Sequence, residues 1–192
     1  MFIFYISYTD KLENNSNQQN QLKKKLDGLE TDITHMRNKL TSFEYIWEIK
    51  NFKKLKANAK SGIKKEVYSN PFYSSEFGYK MRLKLYPDGA GSGRGTHVSI
   101  FRQVMKGRYD AILNWPIEYT GEVSILDQLN HKDHHSNKIE SDSIKHRKEY
   151  AKPIDEFNDG LGSPTFISLD KLEPLYLVDD TIFIKFHLKI TS

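Results

Sequence analysis

The chain has 192 residues, of which 38% are hydrophobic and 12% aromatic, and it carries a formal net charge of +4. This length accommodates one sandwich-sized domain with an appendage, and the aromatic content favours a β-rich core. The sequence contains no cysteine, which excludes a RING or zinc finger, a disulfide framework and a cysteine nucleophile within this chain.

The N-terminal segment, residues 1–20, is predicted to be frayed or disordered. Its apolar run "MFIFYISY" is too short to cross a membrane, and it lacks the basic flank and the cleavage site of a signal peptide. The polar run "ENNSNQQNQ" that follows offers little apolar surface to bury. We therefore expect the ordered part of the chain to begin after this segment.

Residues 21–43 are predicted to form a coiled-coil oligomerisation helix. Apolar residues recur there at alternating spacings of four and three, which is the a/d pattern of a heptad seam. The alternative is a single amphipathic helix packed on its own domain, although such a face is normally wider than an a/d stripe. The seam residues are Leu22, Leu26, Leu29, Ile33, Met36, Leu40 and Phe43.

The charges beside this seam indicate the direction of the neighbouring helices. Residues at g and at the following e position are opposite in sign, which favours a parallel coiled coil. The three pairs are Lys25 with Glu30, Asp32 with Arg37, and Lys39 with Glu44.

Residues 44–192 are predicted to form an antiparallel β-sandwich. Here the apolar period changes to two, and short alternating runs are separated by turn residues. No helical pattern of useful length recurs between the strands, which argues against a βαβ fold. The lysine-rich run from Lys53 to Lys65 is expected to be a solvated loop, because it lacks the stacking aromatics of a nucleic-acid surface. The runs are "YIWEI", "MRLKLY", "THVSIF", "EVSIL" and "TIFIKFHLKI".

A hairpin around the glycine-rich loop "DGAGSGRGTH" gathers candidate binding residues. The alternation places Lys84, Tyr86 and Phe101 together on the outer face of the two strands. Such a group can be a recognition patch, or Phe101 can be covered by a neighbouring segment as a satellite core. The loop leads into a strand and not into a helix, so it does not match a phosphate-binding P-loop.

Two other constellations are expected to carry no chemistry. The loop "NHKDHHSNK" contains adjacent His134 and His135 but lacks the framework of a metal site, so no metal is expected. Ser99, His97 and Asp110 lack the elbow and base arrangement of a hydrolase triad. No catalytic residue and no cofactor are therefore predicted.

Several motifs in order resemble the C-terminal domain of TRAF proteins, the tumour-necrosis-factor-receptor-associated factors. The resemblance covers about residues 22–190, and the motifs are "YIWEIKNF", "SNPFYSSEFGYKMRLKLY", "GRGTHVSIF", "MKGRYDAILNWP", "ILDQ" and "DDTIFIK". It implies an eight-stranded antiparallel β-sandwich of the TRAF-C or MATH type, carried on a parallel coiled coil as a homotrimer.

The resemblance also implies a non-enzymatic, cytoplasmic signalling adaptor. In this family an extended peptide from a receptor tail or an adaptor adds to an edge of the sandwich. The family's acid-binding pair falls on Lys84 and Tyr86, and lysine has a looser grip on a carboxylate than arginine. The family's small apolar pocket falls on Phe101, Val123, Tyr150 and Ser163, with Gly162 as a backbone donor.

Three departures put the family's usual glutamine-centred motif in doubt. Ala90 replaces an aspartate of the hairpin loop, and Leu161 replaces a serine. Arg147, Lys148 and Glu149 replace a run of serines before Tyr150. The added positive charge beside Lys84 predicts a preference for more acidic peptides.

Two rival functions remain open at this point. The chain can be the substrate-binding end of a larger RING-type ubiquitin ligase, although it cannot itself ligate ubiquitin. It can also be a coiled-coil scaffold whose peptide groove is degenerate.

Overall fold

The computed structural model describes residues 15–33 and 42–191. Contacts divide the chain into two compact units, residues 1–41 and Ser42–Ser192. Among the described residues, no helix combines the length and the apolar character that are needed to cross a bilayer.

Helix α1 occupies residues 15–33 in the first unit. Residues 15–20 are therefore helical, and the prediction of a frayed segment up to residue 20 is wrong for them. Four predicted seam residues lie on α1 and expose 48% to 65% of their surface: Leu22, Leu26, Leu29 and Ile33. Met36, Leu40 and residues 1–14 lie outside the described residues.

The prediction that Phe43 ends the heptad seam is wrong. Phe43 lies in strand β1, Ser42–Lys50, opposite Leu188, and its ring stacks on Phe72 at 5.3 Å between centroids. Glu44, expected to pair with Lys39 across the coil, is instead 2.7 Å from the Nζ of Lys185. The strand pattern of alternating apolar residues prevails here, because it buries this side of β1 in the sandwich.

The second unit is built from nine strands and three short helices. Its other strands are β2 Val67–Tyr68, β3 Phe72–Tyr73, β4 Lys80–Tyr86, β5 His97–Met105, β6 Tyr119–Ile125, β7 His135–Glu140, β8 Leu161–Ser168 and β9 Thr181–Ile190. Its helices are α2 Phe52–Lys60, α3 Arg147–Tyr150 and α4 Leu169–Leu172, and a single 3-10 turn spans Gly91–Gly93.

The strands form two antiparallel sheets, which confirms the predicted sandwich. One sheet has the order β1-β9-β6-β7, and the other has the order β2-β4-β5-β8 with β3 also paired to β4. Because β5 takes one edge of β4, β2 and β3 share the other edge and occupy one strand position. The nine strands thus fill the eight positions that the family resemblance implied.

The core lies between the two sheets. On β9, Ile182, Ile184, Phe186 and Leu188 are buried in alternation with half-buried residues, as the period of two predicted. Phe72 belongs to the opposite sheet, and its ring centroid lies 6.0 Å from the ring centroid of Phe186. Each sheet has two edges, formed by β1 and β7 in one sheet and by β2 with β3 and β8 in the other, and the edges of β7 and β8 are the two that border the candidate site described below.

The lysine-rich run begins as a helix and not as a loop. Helix α2 buries Phe52, and a residue distant in the chain caps its N-terminus. The Lys53 N–H donates to Oδ1 of Asp180 at 2.7 Å, and the Phe52 N–H donates to the Asp180 carbonyl at 3.0 Å. A carboxylate at this position satisfies free amide donors and the helix dipole.

Candidate functional site

Three of the predicted site residues form one group on the outer face of sheet β2-β4-β5-β8. Lys84 lies directly opposite Phe101 across β4 and β5. The Tyr86 ring meets the Phe101 ring edge-on at 5.7 Å, and the Nζ of Lys84 is 5.0 Å from the centre of the Tyr86 ring. We call Lys84, Tyr86 and Phe101 the outer cluster.

The outer cluster keeps its cation charged. Partial burial on its own lowers the pKa of Lys84, but a hydrogen bond to Tyr86 and the nearby Tyr86 and Tyr68 phenols outweigh it, so the net pKa is raised. Phe101 is half-buried, and its outer face is shared with a cation and a phenol. The arrangement suits a peptide side chain that carries a negative charge beside an apolar surface.

A second group of predicted residues lines a cavity of about 340 Å³ between the open edges. We call it the edge pocket. Residues of β7 and of β8 form its two rims, and the segment just before α3 also lines it through Asp142, Lys145 and His146. The predicted residues that line it are Phe101, Val123, Tyr150, Gly162 and Ser163.

Phe101 therefore belongs to both groups, whereas Lys84 and Tyr86 lie outside the edge pocket. Val123 and Tyr150 are 6% and 1% exposed, so they form the back wall of the cavity. The predicted residues do not all converge on one cavity; they form two adjoining surfaces that meet at Phe101.

Gly162 allows strand β8 to approach β5 at the pocket. It pairs with Phe101 in the register. A Cβ added there would lie 2.0 Å from the Ile100 carbonyl oxygen and 2.5 Å from the Phe101 Cα. Only glycine fits this contact without separating the strands. The missing side chain also leaves the edge open beside Phe101.

The edge pocket contains a charged residue that the sequence prediction missed. Arg102 lies opposite Leu83 on β5 and lines the cavity. Its Nη2 donates to the Tyr150 hydroxyl at 2.8 Å, its Nη1 to the Leu161 carbonyl at 3.0 Å, and its Nε to the Tyr119 hydroxyl. The predicted small apolar pocket is thus partly polar.

Burial and the two phenols shift the pKa of this guanidinium in opposite directions. Burial lowers the pKa of Arg102, and Tyr119 and Tyr150 raise it by a larger amount. Burial raises the pKa of Tyr119 well above its usual range. Arg102 is therefore a fixed cation held by neutral phenols.

The glycine-rich loop folds back onto β8. Ala90 donates its N–H to the Ser99 hydroxyl at 2.8 Å, and that hydroxyl donates to the Pro164 carbonyl at 2.5 Å. Gly93 approaches the same carbonyl so closely that a Cβ would lie 1.8 Å from its oxygen. The loop thereby covers Ser99, which is fully buried, and orients the strand that carries Phe101.

The residues that depart from the family pattern lie at separate places in the structure. Ala90 borders another cleft, which Lys60, Lys65 and Arg94 also line. Arg147 and Lys148 are exposed on α3 and do not line the edge pocket.

Leu161 and Glu149 have backbone roles beside the pocket. Leu161 lines it and offers its carbonyl to Arg102. The Glu149 carbonyl accepts from the Asn158 side chain at 3.1 Å. The Glu149 backbone therefore helps to hold the chain before Tyr150, and this role does not depend on the Glu149 charge.

The histidine-containing loop is organised by a carboxylate. Asp127 is fully buried and accepts hydrogen bonds from four backbone amides of residues 129–133. His134 accepts from the Asp127 N–H at 3.0 Å, and His135 begins β7. No group of three metal-ligating side chains is found in the part of the chain that the structure describes.

Comparison with known proteins identifies the same domain. The sequence model of the MATH domain family matches residues 44–188. TNF receptor-associated factor 2 of Homo sapiens is 33% identical over 95% of this chain, and TNF receptor-associated factor 5 of Mus musculus is 32% identical over 88%. The solved structure of Notothenia coriiceps TRAF5 superposes with a TM-score of 0.72 at 30% identity, over 97% of this chain and 94% of that one.

The chain spans 38% and 31% of the length of the human and mouse relatives. The family model covers the sandwich from β1 to β9, and the TRAF5 structure covers most of the chain. On these grounds the chain belongs to the MATH domain family, among the TRAF proteins.

Proposed function

We propose that this chain is an oligomeric cytoplasmic signalling adaptor that binds short extended peptides from receptor cytoplasmic tails or from other adaptors. The observation that carries the proposal is the open edge of β8 beside the edge pocket and the outer cluster. The unpaired edge of a strand offers backbone donors and acceptors to an added strand, and adjoining pockets select alternate side chains of the added strand. The matched relatives are named for association with TNF receptors, so a tail of that receptor class is the first partner to examine.

The proposed binding is weak at each site and is strengthened by assembly. The four exposed apolar residues on α1 supply the seam for a parallel homotrimer. Several sandwiches on one coil would engage several clustered tails together, and this raises the apparent affinity without new contacts. The role proposed for this chain is binding, and the chain has no cysteine from which to build a RING.

Selection of random linear peptides on the immobilised chain tests this proposal. Peptides that share a sequence pattern should be recovered, and Phe101→Ala should weaken their binding by about tenfold or more, since a central aromatic commonly carries much of an interface. Affinity is measured by titration calorimetry with one selected peptide.

Phe77→Ala is the matched control for this experiment. Phe77 is 55% exposed and lines neither the edge pocket nor the outer cluster, so its loss should leave the affinity unchanged. Thermal unfolding of both variants checks that each remains folded. Failure to recover any peptide, or equal binding by Phe101→Ala, would overturn the proposal.

A further inference from the structure

Arg102 is a fixed cation at the inner side of the edge pocket. Tyr119, Tyr150 and Leu161 each accept one of its hydrogen bonds. The two phenols are themselves buried, at 0% and 1% exposure. With three contacts from different elements, the guanidinium has little freedom to turn away from the cavity.

The acceptors that hold Arg102 are all neutral. Within residues 15–33 and 42–191, the ion pairs are Lys50 with Glu48 and Lys185 with Glu44, and neither involves Arg102. A guanidinium has five N–H donors, and three are used here. One N–H on each of Nη1 and Nη2 is left for another acceptor.

The rim of the edge pocket does not neutralise this charge. Lys138 and Lys145 are balanced by Glu140 and Asp142 around the opening, and all four are exposed to water. Exposed charges are strongly screened by salt, whereas the charge of Arg102, which is half-buried, is screened less. The cavity is therefore electrostatically suited to an acidic group that enters from outside.

The position of the pocket determines how such a group can arrive. The cavity lies between the unpaired edges of β7 and β8. A peptide strand added at this edge points every second side chain toward the same face. One side chain of the peptide can then enter the cavity while its backbone stays on the edge.

We propose that the edge pocket selects an aspartate or glutamate side chain of the bound peptide, with Arg102 as the specificity-determining residue. This inference rests on the proposed peptide-binding function. It differs from acid recognition by Lys84, because Lys84 lies on the outer face of the sheet and Arg102 on the inner face. The pocket that was expected to be small and apolar would thus select peptides by the negative charge of one side chain.

The test compares peptides selected by the native chain and by Arg102→Met. Random linear peptides are selected on each, and one selected peptide is synthesised with its acidic residue and with the isosteric Asp→Asn or Glu→Gln change. For the native chain, we expect an acid at one fixed position and a loss of about tenfold or more in affinity when it is neutralised. For Arg102→Met, both peptides should bind equally well.

Two further variants separate the causes. Arg108→Met removes the same charge from an exposed residue outside the edge pocket, so the acid preference should persist. Arg102→Lys keeps the charge but loses the planar fork, so a weaker acid preference should remain even if Arg102→Met folds poorly. Thermal unfolding reports the folding of each variant.

The outcomes distinguish this inference from the proposed function. Recovery of peptides without a fixed acidic position, or an acid preference unchanged in both Arg102 variants, overturns the role of Arg102 and leaves peptide binding standing. Recovery of no peptide by the native chain overturns both. An acid preference coupled to residue 102 is the expected result.

Discussion

At the scale of single residues, Asp127 and Arg102 hold charge inside the sandwich in different ways. The carboxylate of Asp127 accepts hydrogen bonds from four backbone N–H groups of its own loop, which stabilise its charged form. The guanidinium of Arg102 is held by phenols and a carbonyl, and it keeps free donors toward a cavity. The first is a structural charge, and the second faces the space where a ligand would lie.

Replacement of Asp127 by asparagine should lower the stability of the sandwich in a pH-dependent way. The hydrogen bond from Asn130 is the main cause of the low pKa of Asp127, about 2 against an ordinary 3.8, with burial opposing it and the other amides supporting it. Because the folded-state pKa is depressed, the stabilising contribution is complete above about pH 4 and is lost as the pH falls toward 2. The native chain should therefore melt at a higher temperature than Asp127→Asn at pH 7.

The pH profile is the decisive measurement for Asp127. The difference in melting temperature between the two proteins should narrow steadily between about pH 4 and pH 2. Asp159→Asn removes an exposed carboxylate and serves as the control with little effect at either pH. A constant difference across the range would contradict the assigned role of the Asp127 charge.

Arg102 itself could be placed by sequence pattern alone, but its environment could not. In "HVSIFRQVM", Val98, Ile100 and Val104 face the core, and Arg102 stands at the same alternate position. A charged residue on an inward-facing register is a recognisable signal. Its partners Tyr119 and Tyr150 lie 17 and 48 residues away in the chain, so its hydrogen bonds depend on the folded topology.

At the scale of elements, the strands with one apolar face were predicted and the open edges were not. The pattern of two is clear in β4 and β9, where buried residues alternate along the strand. Strand β7 buries Ile139 alone, so its sequence "HSNKIE" reads as a polar loop. A strand of an antiparallel sheet with one face in water needs few apolar residues, and edge strands commonly carry charged side chains; here the edges carry the candidate site.

The start of α2 and the end of the predicted heptad seam both depend on contacts between residues that are distant in the chain. Helix α2 buries a single residue, Phe52, and its cap comes from Asp180, 127 residues further along. Phe43 satisfies the heptad spacing and the strand alternation equally well, and the pairing with β9 decides between them. Local pattern cannot resolve such ties, since both periods fit the same residue.

Replacement of Gly162 by alanine should separate β8 from β5. The added methyl would meet backbone atoms, the Ile100 carbonyl and the Phe101 Cα, and these cannot rotate away. Overpacking of this kind typically costs about 1 to 3 kcal/mol. The loss of stability is measured by urea unfolding, and binding of a selected peptide should weaken as well because the edge is displaced.

Gly28→Ala provides the matched control, because it is the same substitution at a glycine outside the sandwich. Gly28 lies in α1, and a Cβ there would meet nothing within 4 Å. Alanine in an exposed helix is favoured over glycine by about 0.5 to 1 kcal/mol. The urea midpoint of the sandwich should be unaffected by this change. Equal stability of Gly162→Ala and the native chain would show that β8 tolerates a side chain at the edge.

At the scale of the whole molecule, the proposed function combines two separate properties. The sandwich supplies an open edge with two adjoining surfaces, and α1 supplies an exposed apolar stripe. A single weak peptide site gives little occupancy at low concentrations, whereas linked sites act at a high effective concentration. Oligomerisation should therefore be separable from folding of the sandwich and necessary for tight binding to clustered peptides.

A double substitution, Leu26→Asp with Leu29→Asp, should convert the proposed trimer to a monomer. Both side chains are more than half exposed on α1, and charges at a and d positions oppose close packing of parallel helices. Sedimentation velocity at tens of micromolar should give about three times the chain mass for the native protein and one chain mass for the variant.

Its control places two aspartates on the outer side of the same helix, by Lys24→Asp with Thr31→Asp. These f positions face away from an a/d seam, so this control should keep the oligomer. Thermal unfolding of the sandwich should be the same in all three proteins.

Binding to a surface dense in a selected peptide should fall by about a hundredfold in the monomer alone, since avidity commonly contributes 10² to 10⁴. A native chain that sediments as a monomer would contradict the role of α1 and leave each sandwich to bind its peptide singly.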